Sequence, residues 1–142
     1  MKPFHFLRIA AVFTLLYCAG HTSGMPWTPY TDPKATSVLE AMKSQSFEAE
    51  GFKGTYWDLY FGYGLMAVVF ALFIAAALWL TSGLAGQPRQ VLRFGACIGV
   101  AVVVHAAIVA RYFFRLPLEF DLLVLAGIVT SMLLARRAPA AG

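Results

Sequence analysis

Six side chains of this chain are of the types that hold or move protons or fix a polar ligand: His21, Asp58, Tyr63, His105, Arg111 and Glu119. Imidazole titrates near neutrality and can act as acid, base or ligand, while carboxylate, phenol and guanidinium groups accept or donate the matching hydrogen bonds. His105 is the most informative, because it lies inside a long uncharged run from Phe94 to Ala110. An ionisable residue in such a run is a functional hypothesis by default. Its same-face neighbours Ala101, Val102, Ile108 and Val109 offer no polar atom, so its partner is expected on another segment: the hydroxyl of Thr14, Tyr17 or Tyr63.

Each residue also has a plainer reading. His105 can be structural glue, a neutral ring bonded across helices. Arg111, Arg115, Glu119 and Asp121 can be helix-end charges, with Arg115 and Glu119 paired. His21 can be a turn or lid residue, and Asp58 beside Trp57 a helix N-cap or a loop ion pair.

Metal and redox chemistry are poorly served. The two cysteines, Cys18 and Cys97, fall at opposite ends of their segments, and no close His or Cys spacing for zinc occurs. No metal or cofactor is expected. A b-type haem would need His21 and His105 as axial ligands, with the first helix running past Gly20. Gly62-Tyr63-Gly64 resembles a potassium filter but lacks the preceding Thr-Val, and its glycines are expected to permit close helix packing. Small multidrug exporters carry a carboxylate inside their first span, and none is present here.

The elements that must position these residues are apolar. Of 142 residues, 60% are hydrophobic and only 13% charged, against about 25% charged in ordinary soluble domains. That balance excludes a soluble globule, and the aromatic and branched content excludes disorder. Four segments are long enough for spans, giving an all-α four-helix transmembrane bundle within one integral membrane domain, residues 1–142. Helices are expected near 4–22, 56–81, 90–113 and 117–136. Leu59 to Leu80 is the clearest, 22 residues without a charge, or about 33 Å of helix. Trp57 and Trp79 stand near its two ends as interfacial anchors. The first segment has the outline of a signal peptide, but Tyr17 and Cys18 spoil the cleavage site, so it is read as a retained helix. The fourth is read as starting at Pro117, with Glu119 in its first turn.

Lys2, Arg8, Arg89, Arg93, Arg136 and Arg137 fall on one side with no acidic residue. By the positive-inside rule this orients the chain with both termini inside, in a bacterial inner membrane. The net charge of +4 is scattered at segment ends and forms no nucleic-acid patch. A turn-rich stretch from His21 to Trp27 leads into the sizeable outer loop, 23–55. The loop then holds a short amphipathic helix: Asp32 as N-cap, Pro33 next, Ala35, Val38, Leu39 and Met42 at helical spacing, and Gly51 or Gly54 as its end. Topology thus gathers the His, Asp, Glu, Arg and Tyr residues at the outer level.

Three stretches carry a family resemblance: Gly20-His21-Thr22-x-Gly24-Met25-Pro26, the segment around Met42 and Phe47 leading to Gly51, and Trp57-Asp58-x-x-x-Gly62-x-Gly64. Together they resemble a family of small bacterial four-helix integral membrane proteins with no assigned activity. The resemblance implies the bundle and supplies no reaction. A looser likeness to DoxX-type membrane proteins rests on size and span number alone.

The function expected is that of a small integral membrane protein that binds a lipid-like or other hydrophobic ligand, or serves as an accessory subunit of a membrane-protein partner. The first alternative is a membrane enzyme acting on a lipid or isoprenoid with acid–base groups at the outer face. The second is the haem redox subunit. The bilayer is the one certain partner class, and nucleic acid is not expected.

Overall fold

The computed structural model describes residues 3–24, 31–84 and 86–137. In chain order they form α1 (Pro3–Gly24), α2 (Pro33–Ser44), β1 (Ser46–Ala49), β2 (Phe52–Thr55), α3 (Tyr56–Ser82), α4 (Pro88–Tyr112) and α5 (Arg115–Arg137). Four of the helices, α1, α3, α4 and α5, are long and apolar enough to cross a membrane. The chain is an all-α, multi-pass membrane protein. Many large apolar side chains, among them Met66, Phe73, Leu80, Val100 and Phe114, remain exposed. Such surface suits hydrocarbon as the surrounding solvent and would be an aggregation liability in water.

The chain forms two compact units. One comprises Met1–Cys18 with Ala71–Gly142, the other Ala19–Phe70. The first is a packing of four helical segments. Its core takes one stripe from each at three- and four-residue spacing: Leu7, Ala10 and Ala11 from α1; Ile74 and Leu78 from α3; Val91, Ile98 and Val102 from α4; Val124, Ile128 and Ala135 from α5. Lipid tails are as apolar as these side chains, so close packing rather than the hydrophobic effect holds such helices together. Small residues make it possible. Gly95 faces Met132 across the α4–α5 pair, where an added Cβ would stand 3.0 Å from Met132 Cγ. Gly95 and Gly99 form a G-x-x-x-G stripe against Ile128 and Met132 that the sequence analysis passed over. Gly127 of α5 admits α1: a Cβ there would sit 3.0 Å from both Ala10 Cβ and the Phe6 carbonyl oxygen.

In the second unit, α2 begins as its sequence requires. The Asp32 side chain accepts from the Lys34 N–H at 3.0 Å, with Pro33 at the first helical position. Ala35, Leu39 and Met42 are half-buried at helical spacing, whereas Val38 is exposed. The helix stops earlier than expected. It ends at Ser44, where Gln45 turns extended, so neither Gly51 nor Gly54 terminates it. Those glycines belong to an antiparallel hairpin pairing Ser46 with Thr55 and Ala49 with Phe52. Glu50 and Gly51 at its tip have φ of +51° and +82°, the paired positive values of a type I′ turn, for which Gly at the second position is favoured. The rings of Phe47, Phe52 and Tyr56 cluster beside it, with centroids 5.6–5.8 Å from Phe47. The turn-rich stretch is also altered. α1 continues through Gly24, and residues 25–30, with the Met25-Pro26 of the motif, lie outside the described residues.

One further boundary moves. α5 starts at Arg115, two residues before Pro117, so Glu119 is beyond the first turn and not a dipole-stabilising acid there. Gly62, expected to permit close packing, has no heavy atom of another described residue within 4 Å of its would-be Cβ.

Candidate functional site

α4 and α5 form an antiparallel pair joined through Phe113 and Phe114, so residues equally far from that connection face one another. His105 and Asp121 are such a pair. Nδ1 of His105 lies 2.9 Å from Oδ2 and 3.1 Å from Oδ1 of Asp121, within hydrogen-bond reach of both oxygens. The side chains are 22% and 13% exposed respectively. Both stand well inside their helices, seven residues from Tyr112 and six from Arg115, about 10 Å in along each helix.

Asp121 is the partner that the sequence analysis did not name. It was read as a helix-end charge, yet it occupies the buried stripe of α5 between Pro117 and Val124. A carboxylate in register with Pro117, Val124, Ile128 and Ser131 was a signal available in the sequence. Of the hydroxyls offered to His105, Thr14 instead donates to the Ala10 carbonyl within α1 at 3.0 Å. The Tyr17 ring meets His105 edge-on, with centroids 6.2 Å apart. Phe120 adds a ring 6.1 Å from Tyr17, and Phe13 stands 6.5 Å from Phe120. The imidazole–carboxylate pair therefore sits against an aromatic wall contributed by α1 and α5.

Arg111 and Glu119 do not join this pair in the described contacts. The Arg111 guanidinium lies 5.2 Å from the ring of its neighbour Tyr112. Glu119 takes the Nε of Arg115 at 2.9 Å, an exposed i,i+4 pair on α5, a kind worth only about 0.3–0.5 kcal/mol.

His21, Asp58 and Tyr63 belong to the other unit and are described within it. His21 stands on α1, since the helix continues past Gly20 as the haem reading required. Its Nε2 is 3.2 Å from the Gly64 carbonyl oxygen and donates to it, which ties the G-H-T motif to the W-D-x-x-x-G-x-G motif. Asp58 is a cap. Its Oδ2 accepts from both the N–H and the hydroxyl of Thr55 at 2.7 Å, while its own N–H donates to Thr55 Oγ1 at 3.2 Å. This reciprocal arrangement is a capping box that starts α3. Beside it, Lys43 Nζ lies 5.1 Å from the Trp57 ring, and Trp57 stacks on Phe61. Tyr63 is exposed.

Cys18, which is buried, and Cys97, which is exposed, are not joined in a disulfide. Among the described residues, no three His, Cys, Asp or Glu side chains converge as a metal-holding group. What the arrangement can do chemically is set by His105 and Asp121. The carboxylate fixes Nδ1 as the protonated nitrogen and so directs Nε2 to act as acceptor, or as donor once the ring is charged. No protein-family model, curated protein or solved structure matches this chain.

Proposed function

We propose that this chain is a multi-pass protein of a bacterial inner membrane, with both termini inside, that binds a lipid-like molecule whose polar group meets the His105–Asp121 pair. The observation that carries the reading is that pair itself, set about a quarter of the way along its helices and partly open. Removing two ionisable groups from water costs several kcal/mol, by order of magnitude, even when they bond each other. The cost is not needed to join α4 to α5, because the short connection and the Gly95 and Gly99 contacts already do so. A polar pair retained at such cost beside apolar surface is suited to a ligand that arrives through the bilayer. The six basic residues at one set of helix ends support the orientation. The resemblance carried by the G-H-T-x-G-M-P and W-D-x-x-x-G-x-G motifs supports the same class of protein.

Acid–base chemistry on that ligand is the second reading, favoured by the carboxylate at Nδ1, which presets the tautomer of a general base. One experiment separates the readings. The wild type, His105→Gln and Asp121→Asn are purified in mild detergent, checked for helicity and size, and extracted for mass spectrometry. A lipid-like species retained by the wild type and lost from both folded variants supports binding. Both variants holding an altered, unconverted species supports acid–base chemistry. Identical extracts from all three folded proteins would sink both.

A further inference from the structure

The other end of the same unit holds an arginine that no carboxylate pairs among the described residues. Arg8 stands five residues into α1. Its Nε donates to Ser82 Oγ at 3.3 Å, and Ser82 is buried. Its guanidinium carbon lies 5.2 Å from the Phe4 ring and 5.0 Å from the Trp79 ring. The hydroxyl and the two rings fix the plane of the group, yet they satisfy only one of its five N–H donors.

Trp79 has a second role. It closes one end of an apolar groove of about 440 Å³ between α1 and α3. The groove has a floor of small residues, Ala11, Ala75 and Ala76, and walls of Leu15 and Leu72. Ala11 and Leu15 follow Arg8 by three and seven residues on α1, so the charge heads the same helical face that lines the groove. From Trp79 to Leu72 the groove runs about 10 Å along α3. A fixed cation at the mouth of a hydrocarbon channel is complementary to an amphiphile with an anionic head and an alkyl chain.

The sign of the head group follows from the charges at that end. α1 and α5 run antiparallel, since Tyr17 meets Phe120 and Gly127 meets Ala10. The helix ends on the side of Arg8 therefore carry Arg136 and Arg137, and the start of α4 adds Arg89 and Arg93. Within this unit the acidic residues, Glu119 and Asp121, stand in the first two turns of α5, at its opposite end. Among the described residues of this unit no carboxylate stands there to pair a lipid ammonium group, and Arg8 already occupies the Phe4 and Trp79 rings, whereas guanidinium matches a phosphate oxygen pair.

We infer that Arg8, held by Ser82, Phe4 and Trp79, binds the phosphate of a net-anionic phospholipid whose acyl chain lies in the α1–α3 groove. This site is separate from His105–Asp121, about 13 Å along α1 from Tyr17, and does not depend on the function proposed for that pair.

The test uses Trp79 as the reporter. With Trp27→Phe and Trp57→Phe as background, the full chain is reconstituted in phosphatidylcholine vesicles. These are doped with chain-brominated phosphatidylglycerol or chain-brominated phosphatidylcholine. The brominated anionic lipid should quench Trp79 at a mole fraction about five-fold lower than its zwitterionic counterpart, the ratio given by about 1 kcal/mol per basic residue. Arg8→Ala should abolish the difference. Ser82→Ala, which keeps the charge but removes its anchor, should reduce it, and this variant keeps the test open if Arg8→Ala does not fold. Equal quenching by the two lipids in the background protein would overturn the inference. So would an unchanged preference in folded Arg8→Ala, or loss of the preference on adding inorganic phosphate, which would make the ligand a free anion.

Discussion

Asp121 follows His105 by sixteen residues, yet its carboxylate lies 2.9 Å from that histidine's Nδ1, because the two are equally distant from the turn between α4 and α5. The relation is one of helical register across an antiparallel pair. It makes each side chain the other's hydrogen-bond partner, and it predicts an asymmetry between them. His105→Ala removes the donor from a covered carboxylate and should cost about 3 kcal/mol, the lower range for breaking a buried ion pair. Asp121→Asn keeps an acceptor and should cost about 1 kcal/mol, the scale of one interhelical hydrogen bond. Thermal or denaturant unfolding in detergent checks the order. Equal losses would mean that the pair is not coupled in this way.

The glycines that admit neighbouring helices, Gly95 between α4 and α5 and Gly127 between α5 and α1, should differ in tolerance. At Gly95 the would-be methyl meets Met132 Cγ and Sδ at 3.0 and 3.2 Å, the flexible part of a side chain that can turn aside. At Gly127 it meets the Phe6 carbonyl oxygen and Ala10 Cβ, both at 3.0 Å and neither free to rotate away. Gly127→Ala is therefore expected to destabilise by about 1–3 kcal/mol, as overpacking does, with Gly95→Ala clearly milder. Unfolding of the two variants side by side gives the comparison.

In the hairpin, Glu50 is the one described non-glycine residue with positive φ. Asparagine tolerates that region better, and Asn-Gly is the preferred type I′ pair. Glu50→Asn should slow amide hydrogen exchange across the 46–55 ladder. Gly51→Ala, at φ +82°, should speed it.

Asp58 should behave as a cap. Thr55→Ala removes the hydroxyl that bonds both Asp58 and its N–H and should cost about 1 kcal/mol. The effect should appear as fraying of the first turn of α3, with His105-dependent readouts unmoved. An effect of Asp58→Asn on ligand retention equal to that of His105→Gln would contradict this assignment.

Ser131 is fully buried in α5, and its hydroxyl has no hydrogen-bond partner among the described residues. An unmet buried polar group carries a desolvation penalty of about 1–3 kcal/mol. Ser131→Ala, which removes the oxygen and leaves the rest of the shape, should raise the melting temperature. A fall would show that the hydroxyl makes a bond in the membrane.

Much of the fold was legible, and the site was only half so. Asp32-Pro33 marked the start of α2 because an N-cap acts on its own next residues. Leu59 to Leu80 marked α3 because burial in hydrocarbon needs only length and the absence of charge. His105 was picked out for the same reason, as a polar atom where none should be. Its partner was sought among hydroxyls at matching depth on other helices, although the next helix carried a carboxylate in its buried stripe. Depth alone did not say that α4 and α5 lie close enough for their stripes to touch. The hairpin was passed over because Ser46 to Thr55 is short, and its aromatic contacts reach Tyr56 beyond its own span.

What the sequence determined by itself is that this chain is helical and belongs in a membrane. Those properties are sums over neighbouring residues, of transfer free energy along each segment and of the hydrogen bonds that must close within a helix. The tertiary structure decided which polar groups meet. Asp121 reaches His105, Thr55 engages Asp58, and the Gly64 carbonyl receives His21. The first and third of these join separate helices, and nothing in either local sequence ranks such a bond above its competitors. For His105 the choice fell to Gly95 and Gly99, which let α5 approach α4. A contact between helices is set by how near their backbones can come.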